Sequence, residues 1–258
     1  MINSVNYNEI SPVYNTRYKE SPLEGVLKYL TELVDTYAPK NILELGCGTA
    51  YWLNKLSKCD CALFGGDYSV GMLKQAAANT ETTLNLFNAD ANSLPLKKNN
   101  FDLIICINAI HHFKKGKKFV EDAISLLKKN GIITIIGLEP RESENDWYLY
   151  KYFDRTYRID LERFPAFENI RLWMQENKLV NIEHKLVHKV ISSKSGREVL
   201  SDHFLDKKGA SQLALLTDRE YYKGLSKIES DIELAEKENR KIEFVVKLNF
   251  YAITGFNL

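Results

Sequence analysis

Side chains that could bind a nucleotide-like ligand stand at the ends of two apolar runs. Glu44 comes two residues before Gly46, and Gly48 follows in the same turn. Glycine has no Cβ and accepts positive φ, so this turn lets the backbone pass close to a ligand. A second acid, Asp67, ends the next apolar run, where a ribose hydroxyl pair lies in nucleotide-binding α/β sheets. The spacing therefore predicts a ligand held by the turn.

Two consecutive histidines, His111 and His112, follow a third apolar run, residues 101–107. An imidazole titrates near physiological pH and so suits general-base catalysis. Neighbours on a helical turn point about 100° apart, which predicts that at most one of them faces a substrate. His112 is favoured, because the helical phase returns to the side of Asn108 after about one turn. A structural role is the alternative for both.

Alternating elements must position these residues. Strands are predicted near residues 41–45, 61–66, 83–88, 102–107 and 131–137, and helices near 50–58, 69–79 and 116–129. The apolar runs do not alternate with polar residues, as in a parallel sheet covered on both faces. Right-handed crossovers between such strands place a ligand at their carboxyl ends.

The rest of the chain has a different character. The first 20 residues are polar and rich in tyrosine, and a helix is predicted over residues 22–37, with Ser21 as its cap and Pro22 in its first turn. Residues 140–165 are dense in charged and aromatic residues. The remaining predictions are a helix at 166–177, a strand at 181–191, a helical stretch at 195–238 whose last helix is capped by Asp218, and a strand at 243–254.

Four blocks of this sequence resemble class I S-adenosylmethionine-dependent methyltransferases, in particular the UbiE-like, type 11 small-molecule group. In chain order they are the Glu-x-Gly-x-Gly turn and residues 66–73, 88–96 and 101–113. Their order and distances are specific, whereas one glycine motif would be weak. Two departures are Ala50 at the third glycine and Lys-Asn-Gly at 129–131 in place of Pro-Gly-Gly.

The resemblance implies an α/β fold with a Rossmann-like, seven-stranded, mostly parallel sheet, an antiparallel last strand and a helical cap. It implies one methyltransferase domain over residues 1–258, with a cofactor-binding core at 40–137. Residues 1–37, 138–165 and 195–240 are predicted to form the cap and substrate elements. The implied reaction is methyl transfer from S-adenosyl-L-methionine to a small-molecule acceptor by in-line displacement.

The resemblance also assigns roles to residues. The implied cofactor contacts are Glu44, Gly46, Cys47, Gly48, Asp67, Tyr68, Met72, Asp90, Ala91, Asn108, Tyr14 and Arg17. Asp67 is the implied ribose ligand, with helix capping as the alternative. Asp90 and Ala91 are implied to read adenine, unless they belong to an ordinary polar loop. Tyr68 and Met72 pack either on adenine or in the core.

The methionine end of the cofactor has its own predicted contacts. Glu44 is expected to hold the loop through backbone amides or a water near the methionine amine, and Asn108 to face the methionine portion. Arg17 could pair with the methionine carboxylate, and Tyr14 could line the sulfonium by cation–π attraction. The alternative for this N-terminal set is a surface helix with aromatic anchors.

Composition favours a small acceptor over nucleic acid. The 35 basic and 34 acidic residues leave a net charge of +1, without the basic field expected for phosphate tracking. No apolar run of about 18 residues and no secretory signal pattern is present, which predicts no membrane insertion and a cytoplasmic location. The four cysteines are predicted to be free thiols and no metal site is expected. The predicted assembly is a monomer or homodimer.

Two other functions are open to the sequence. A NAD-dependent oxidoreductase needs Gly-x-Gly-x-x-Gly, but Tyr51 stands at the last glycine position, and no Tyr-x-x-x-Lys pair follows the strands. The other alternative is a non-catalytic S-adenosylmethionine-binding module, which would bind the cofactor without turning over any acceptor.

Overall fold

The computed structural model describes residues 5–80 and 82–258, which form a mixed sheet flanked by helices. Its strands are β1 (Asn41–Leu45), β2 (Ala62–Asp67), β3 (Leu84–Asn88), β4 (Phe101–Ile107), β5 (Leu127–Leu138), β6 (Asp146–Trp147), β7 (Val180–Ser195) and β8 (Glu243–Asn257). Its α-helices are α1 (Tyr7–Ile10), α2 (Thr16–Glu20), α3 (Glu24–Tyr37), α4 (Tyr51–Lys55), α5 (Val70–Ala78), α6 (Gly116–Leu126), α7 (Tyr148–Tyr152), α8 (Thr156–Arg163), α9 (Phe167–Glu176), α10 (Ser211–Ala214) and α11 (Asp218–Lys237). The five strands predicted between residues 41 and 137 are confirmed, and β5 differs most because it begins at Leu127.

The sheet is mostly parallel. Its order is β3-β2-β1-β4-β5-β8, and all neighbours from β3 to β5 pair in parallel. The last strand, β8, runs antiparallel between β5 and β7. This confirms the Rossmann-like fold and the antiparallel last strand.

The strand count differs from the predicted seven, because the described residues contain eight strands. The additional strand is the two-residue β6, which pairs with Val246 and Lys247 of β8. β8 is 15 residues long, and its pairing with β5 starts only at Phe250. The preceding part of β8 is therefore free to pair with β6.

Both faces of the sheet are buried, as the apolar runs predicted. Along β4, Leu103 and Ile105 belong to one hydrophobic cluster, whereas Ile104 and Cys106 belong to the other. Successive side chains of a strand point to opposite faces, so one continuous apolar run supplies two packed layers. This placement carries the carboxyl ends of β1, β2 and β4 to one edge of a rigid core.

Two predicted helix caps are wrong. Neither Ser21 nor Pro22 begins α3; its N-cap is Leu23, a buried residue with φ of 50°. The cap of α11 is Thr217 and not Asp218. The Thr217 hydroxyl accepts from the Glu220 amide while the Glu220 carboxylate accepts from the Thr217 amide, a capping box that satisfies two otherwise unpaired donors.

The helical stretch predicted at 195–238 lies between β7 and β8. It contains α10 and α11 and packs with α7 and α8 into the hydrophobic cluster that also contains β8. At Gly224 of α11, an added Cβ would lie 2.2 Å from the ring of the buried Phe153. The helices of this region are therefore in close contact.

The cysteines only partly follow the prediction. Cys47 and Cys106 are free and buried, but Cys59 and Cys61 form a disulfide, so the expectation of four free thiols is wrong. Their Cα atoms are 5.3 Å apart, which is within the span of a disulfide. Across residues 5–80 and 82–258 no helix is long and apolar enough to cross a membrane, and no group of His, Cys, Asp or Glu is arranged to hold a metal ion.

Candidate active site

A cavity of about 1040 Å³ opens at the carboxyl ends of β1, β2 and β4, where the sequence predicted a ligand. This volume is at the upper end of the range for small-molecule sites, roughly 300–1,000 Å³. The predicted site residues on its wall are Tyr14, Gly46, Gly48, Asp67, Tyr68, Met72, Asp90, Ala91, Asn108, His111 and His112. The cavity is therefore large for a site that binds one small molecule.

The glycine turn adopts the backbone conformation that the sequence required. Gly46 and Gly48 have φ of 74° and 54°, and the Gly46 amide donates to the Gly66 carbonyl at 2.8 Å. An added Cβ at Gly46 would lie 2.5 Å from the Cβ of Ala109. Ala50 also has positive φ, 57°, so alanine is accepted at the family's third glycine position.

Asp67 ties the turn to the start of α5. One carboxylate oxygen accepts from the Gly48 amide at 2.8 Å and the other from the Ser69 amide at 2.7 Å. The helix cap is supplied by the Ser69 hydroxyl, which accepts from the Met72 amide. Burial raises the pKa of Asp67, and the hydrogen bonds from the Ser69 and Gly48 amides oppose this shift. Each carboxylate oxygen has a second lone pair that can accept a ligand hydroxyl.

Three predicted cofactor contacts, Glu44, Cys47 and Arg17, lie behind the cavity wall. Cys47 is buried, and its amide donates to the Gly66 carbonyl at 3.1 Å. Glu44 is 1% exposed, and its Oε2 has no hydrogen-bond partner among the described residues. Burial, and then the charge of Asp67, hold the pKa of Glu44 well above its usual range.

Arg17 is the cationic counterpart of Glu44 in this region. Its guanidinium lies 3.9 Å from the centre of the Tyr14 ring, and its buried Nε has no partner in the described part of the chain. Both Arg17 and Glu44 act on the pKa of Tyr18, although burial dominates the upward shift of that pKa. Glu44 and Arg17 thus each have one buried polar atom without a partner among the described residues. Their contact with the methionine end of the cofactor stays a prediction.

The predicted adenine contacts occupy one side of the cavity. Asp90 accepts from the backbone and side-chain amides of Asn92 through one oxygen. Tyr68 is 77% exposed at the rim, which excludes core packing for it, whereas Met72 is 2% exposed. Ala91 is buried beside them. Their contact with adenine stays a prediction.

Both histidines line the cavity, together with Ile110 of the same 3₁₀ turn, Ile110–His112. That at most one of them faces a substrate stays a prediction. The Nε2 atom of His112 lies 2.6 Å from the Tyr7 hydroxyl. The His111 ring stacks on Phe164 with centroids 3.9 Å apart and planes inclined by 8°.

The N-terminal segment closes part of the site. Tyr7 and Tyr14 line the cavity, and the Asn8 side-chain oxygen accepts from the Ser69 hydroxyl and the Gly71 amide, both at 2.8 Å. These contacts favour a cap on the cavity over the alternative, a surface helix with aromatic anchors. Residues 1–4, part of the predicted cap, lie outside the described residues.

Sequence reasoning did not identify the residues at the far side of the cavity. Arg141, Arg163, Phe164 and Trp173 line it there. The sequence did show a segment dense in charged and aromatic residues, but no spacing singled out these members. They come from a loop, α8 and α9, which only the fold brings opposite the histidines.

The histidines predict a pH dependence of stability. Burial lowers the pKa of His112 to about 3 and that of His111 well below its usual range, with help from nearby positive charge. Both stay neutral in the folded protein, whereas an unfolded-state histidine has a pKa of about 6.5. The unfolded chain thus binds more protons below pH 6.5, and stability falls as pH is lowered further.

We expect each histidine to contribute a loss of at most about 1.4 kcal/mol per pH unit below about pH 6. Urea unfolding of the protein at about pH 7.5 and about pH 5 measures the loss. The variant His112→Gln should show a smaller loss than the protein, whereas His203→Gln, outside the cavity, should show the same loss. An unchanged loss in His112→Gln would contradict the assignment.

Comparison with known proteins agrees with this geometry. Residues 42–131 match the family described as Methyltransferase domain. Over 149 residues the chain is 32% identical to the tRNA (carboxymethyluridine(34)-5-O)-methyltransferase of Saccharomyces cerevisiae, covering 55% of this chain and 50% of that protein. Over 125 residues it is 25% identical to the ubiquinone biosynthesis O-methyltransferase of Coxiella burnetii, covering 46% of this chain and 53% of that protein.

Solved structures share the fold at low sequence identity. A protein of Anabaena variabilis, described as a methyltransferase from an antibiotic biosynthesis pathway, has a TM-score of 0.65 at 20% identity, covering 87% of this chain and 96% of that chain. Phosphoethanolamine N-methyltransferase 2 of Haemonchus contortus, in complex with S-adenosyl-L-methionine, has a TM-score of 0.52 at 16% identity, covering 84% of this chain and 48% of that chain.

The matched segment is a class I S-adenosylmethionine-dependent methyltransferase domain, and S-adenosylmethionine is its cofactor. The chain spans about half the length of the curated relatives from yeast and Coxiella. Its acceptor and the activity of the whole protein do not follow from these similarities.

Proposed function

We propose that this protein transfers the methyl group of S-adenosylmethionine to a small-molecule acceptor. The observation that carries this proposal is the large cavity that is lined by both the glycine turn and the histidines. Its wall is completed by the N-terminal segment and by α8 and α9, which favour an enclosed small acceptor. The net charge of +1 also supports this choice over nucleic acid.

When bound, S-adenosylmethionine supplies a methyl group on a positively charged sulfur, which is already an activated leaving group. The protein's own task is then chiefly to position the acceptor. In this proposal Asp67 accepts the ribose hydroxyls, and Asp90 and the Ala91 amide bind adenine. Glu44 and Arg17, which lie behind the cavity wall, would reach the methionine amine and carboxylate through water.

The role of the histidines in this proposal depends on the acceptor. A hydroxyl acceptor must lose a proton, and a general base contributes about 10²–10⁴ in rate. His112 is a weak base while its pKa is near 3, so it would act only if acceptor binding raised that pKa. For an acceptor that needs no base, the histidines should mainly determine affinity.

Single-turnover kinetics of His112→Ala and His111→Ala at saturating cofactor test these roles. A rate loss of about 10²–10⁴ in His112→Ala alone would identify it as the base of a hydroxyl acceptor. A weakened acceptor affinity with an unchanged rate would identify a binding role. Wild-type rate and affinity in both variants would exclude both histidines from the site.

RNA is a second candidate acceptor, favoured by two observations. The relative from Saccharomyces cerevisiae acts on tRNA by its name, and Lys114 lies at the cavity wall with Lys115 next to it in the sequence. The next two lysines, however, are held in ion pairs: Lys117 with Glu176 and Lys118 with Asp122. The positive charge available to RNA at residues 114–118 is therefore smaller than their lysines alone suggest.

The test uses purified protein and S-adenosylmethionine labelled in its methyl group. Calorimetry should first show binding of S-adenosylhomocysteine but not of NADH, which excludes the oxidoreductase. Label should then enter a ribonuclease-resistant small-molecule fraction of a cell extract. Label found in RNA would identify the second candidate, and cofactor binding without transfer to either fraction would identify a non-catalytic module.

A further inference from the structure

Arg163 is a buried cation on the acceptor side of the cavity. Its side chain is only 9% exposed, yet it belongs to the cavity wall. The guanidinium lies 5.9 Å from the centre of the Phe164 ring, which stacks on His111. This residue ends α8, so the packed cap holds it in place.

The hydrogen bonds of Arg163 leave part of its guanidinium free. Its Nη2 donates to Asp160 at 2.7 Å and to Ser211 at 3.0 Å. Its Nε is buried and has no partner, and its Nη1 donates to none of the described residues. An unpaired buried donor of a charged group is costly, and binding of an anionic ligand would remove that cost.

Arg141, the other arginine at this side, is a useful contrast. Its Nη1 donates to Glu139 and to the Phe164 carbonyl, and its Nη2 donates to the Leu161 carbonyl. It thereby joins the loop after β5 to α8 and to the residue that follows α8. Arg141 therefore has a structural role, whereas Arg163 has hydrogen-bond donors without a partner among the described residues.

The charges around Arg163 leave a positive field toward the histidines. The Asp160 carboxylate forms an ion pair with Arg163, and it also accepts a hydrogen bond from the Tyr150 hydroxyl at 2.8 Å. Glu162, the acid on the wall next to it, accepts from Arg158 at 2.9 Å. After burial, the charge of Arg163 is a cause of the lowered pKa of both His111 and His112.

We propose that the acceptor carries a carboxylate and that Arg163 binds it beside the two histidines. This rests on the proposed function, because it concerns the acceptor half of the same cavity. The spare Nε and Nη1 donors would bind carboxylate oxygens with charge-assisted hydrogen bonds. The stacked Phe164 and His111 rings make a planar, ring-bearing carboxylate the best match.

Benzoate and its neutral isostere benzamide are suitable probes. With the protein saturated by S-adenosylhomocysteine, calorimetry should show benzoate binding at least about ten-fold more tightly than benzamide. Arg163→Gln should remove this preference while S-adenosylhomocysteine binds as before. Equal binding of the two probes to the protein, or an unchanged preference in Arg163→Gln, would overturn the proposal.

Two further variants keep the test independent of folding. The pair Asp160→Asn with Arg163→Gln removes both buried charges, so it avoids an uncompensated carboxylate, and it too should lose the preference for benzoate. Arg158→Gln, on the same helix with a side chain 82% exposed, should retain the preference. A protein that fails to bind S-adenosylhomocysteine at all would instead refute the proposed function.

Discussion

Replacing Asp67 by alanine should weaken binding of S-adenosylmethionine at least about ten-fold. The carboxylate lies on the cavity wall, and the ribose hydroxyls are its proposed partners. Hydrogen bonds to charged groups contribute about 1.5–3 kcal/mol, and 1.4 kcal/mol is a factor of ten in affinity. The variant also loses the acceptor of the Gly48 and Ser69 amides, so the turn becomes less ordered. Calorimetry with S-adenosylhomocysteine measures the effect.

Two control variants separate ligand contact from loss of structure. Asp67→Asn retains one acceptor oxygen but no charge. Its affinity for S-adenosylhomocysteine should therefore lie between that of the unsubstituted protein and that of Asp67→Ala. Asp60→Ala removes a carboxylate that is 98% exposed and paired with Lys40, so its affinity should be unchanged. An Asp67→Ala variant that is folded and binds with the original dissociation constant would refute the ribose assignment.

Replacing Gly46 by alanine should give the second large effect, a loss of both stability and cofactor binding. The left-handed conformation costs alanine roughly 1–2 kcal/mol and overpacking typically costs about 1–3 kcal/mol, so about 2–5 kcal/mol in all. The overpacking arises because the new Cβ would meet Ala109 at 2.5 Å and the Phe113 ring at 3.3 Å. Relief of this contact must move the turn, and S-adenosylhomocysteine should then bind at least about ten-fold more weakly.

The matched control is Gly48→Ala in the same turn. Gly48 also has positive φ, but an added Cβ would lie 3.8 Å from the Tyr14 ring, an ordinary contact. We therefore expect only the conformational cost of roughly 1–2 kcal/mol. Urea unfolding and calorimetry compare the two variants. If Gly46→Ala were no less stable than Gly48→Ala, close approach of Ala109 would not be the reason for glycine at position 46.

Most of the predicted cofactor contacts lie on the cavity wall, because their positions follow from local sequence. Gly46 and Gly48 needed positive φ, and Asp67 had to end β2, which sequence spacing alone indicates. The exceptions were Glu44, Cys47 and Arg17, which lie behind the wall. Their depth depends on how the turn packs against its neighbours, which no local pattern expresses.

The helix boundaries, too, were only partly predictable from local sequence. Ser21 and Asp218 have suitable side chains for caps, but Leu23 and Thr217 occupy the cap positions. Leu23 is buried, so the packing of its side chain decided where α3 begins. The preference of a side chain for the cap position contributes less free energy than burial of a leucine, which contributes about 1.5–3 kcal/mol.

The sequence by itself determined the parallel sheet, the glycine turn and the two acids, because these depend on short-range spacing and on apolar runs. Its resemblance to class I methyltransferases implied the class of cofactor. Only the tertiary structure decided which residues form the acceptor side. Arg163 lies about fifty residues after the histidines, and His111 meets Phe164 only after α8 folds over the sheet. Contacts between distant segments depend on the relative placement of whole helices, which is set by the packing of many side chains together.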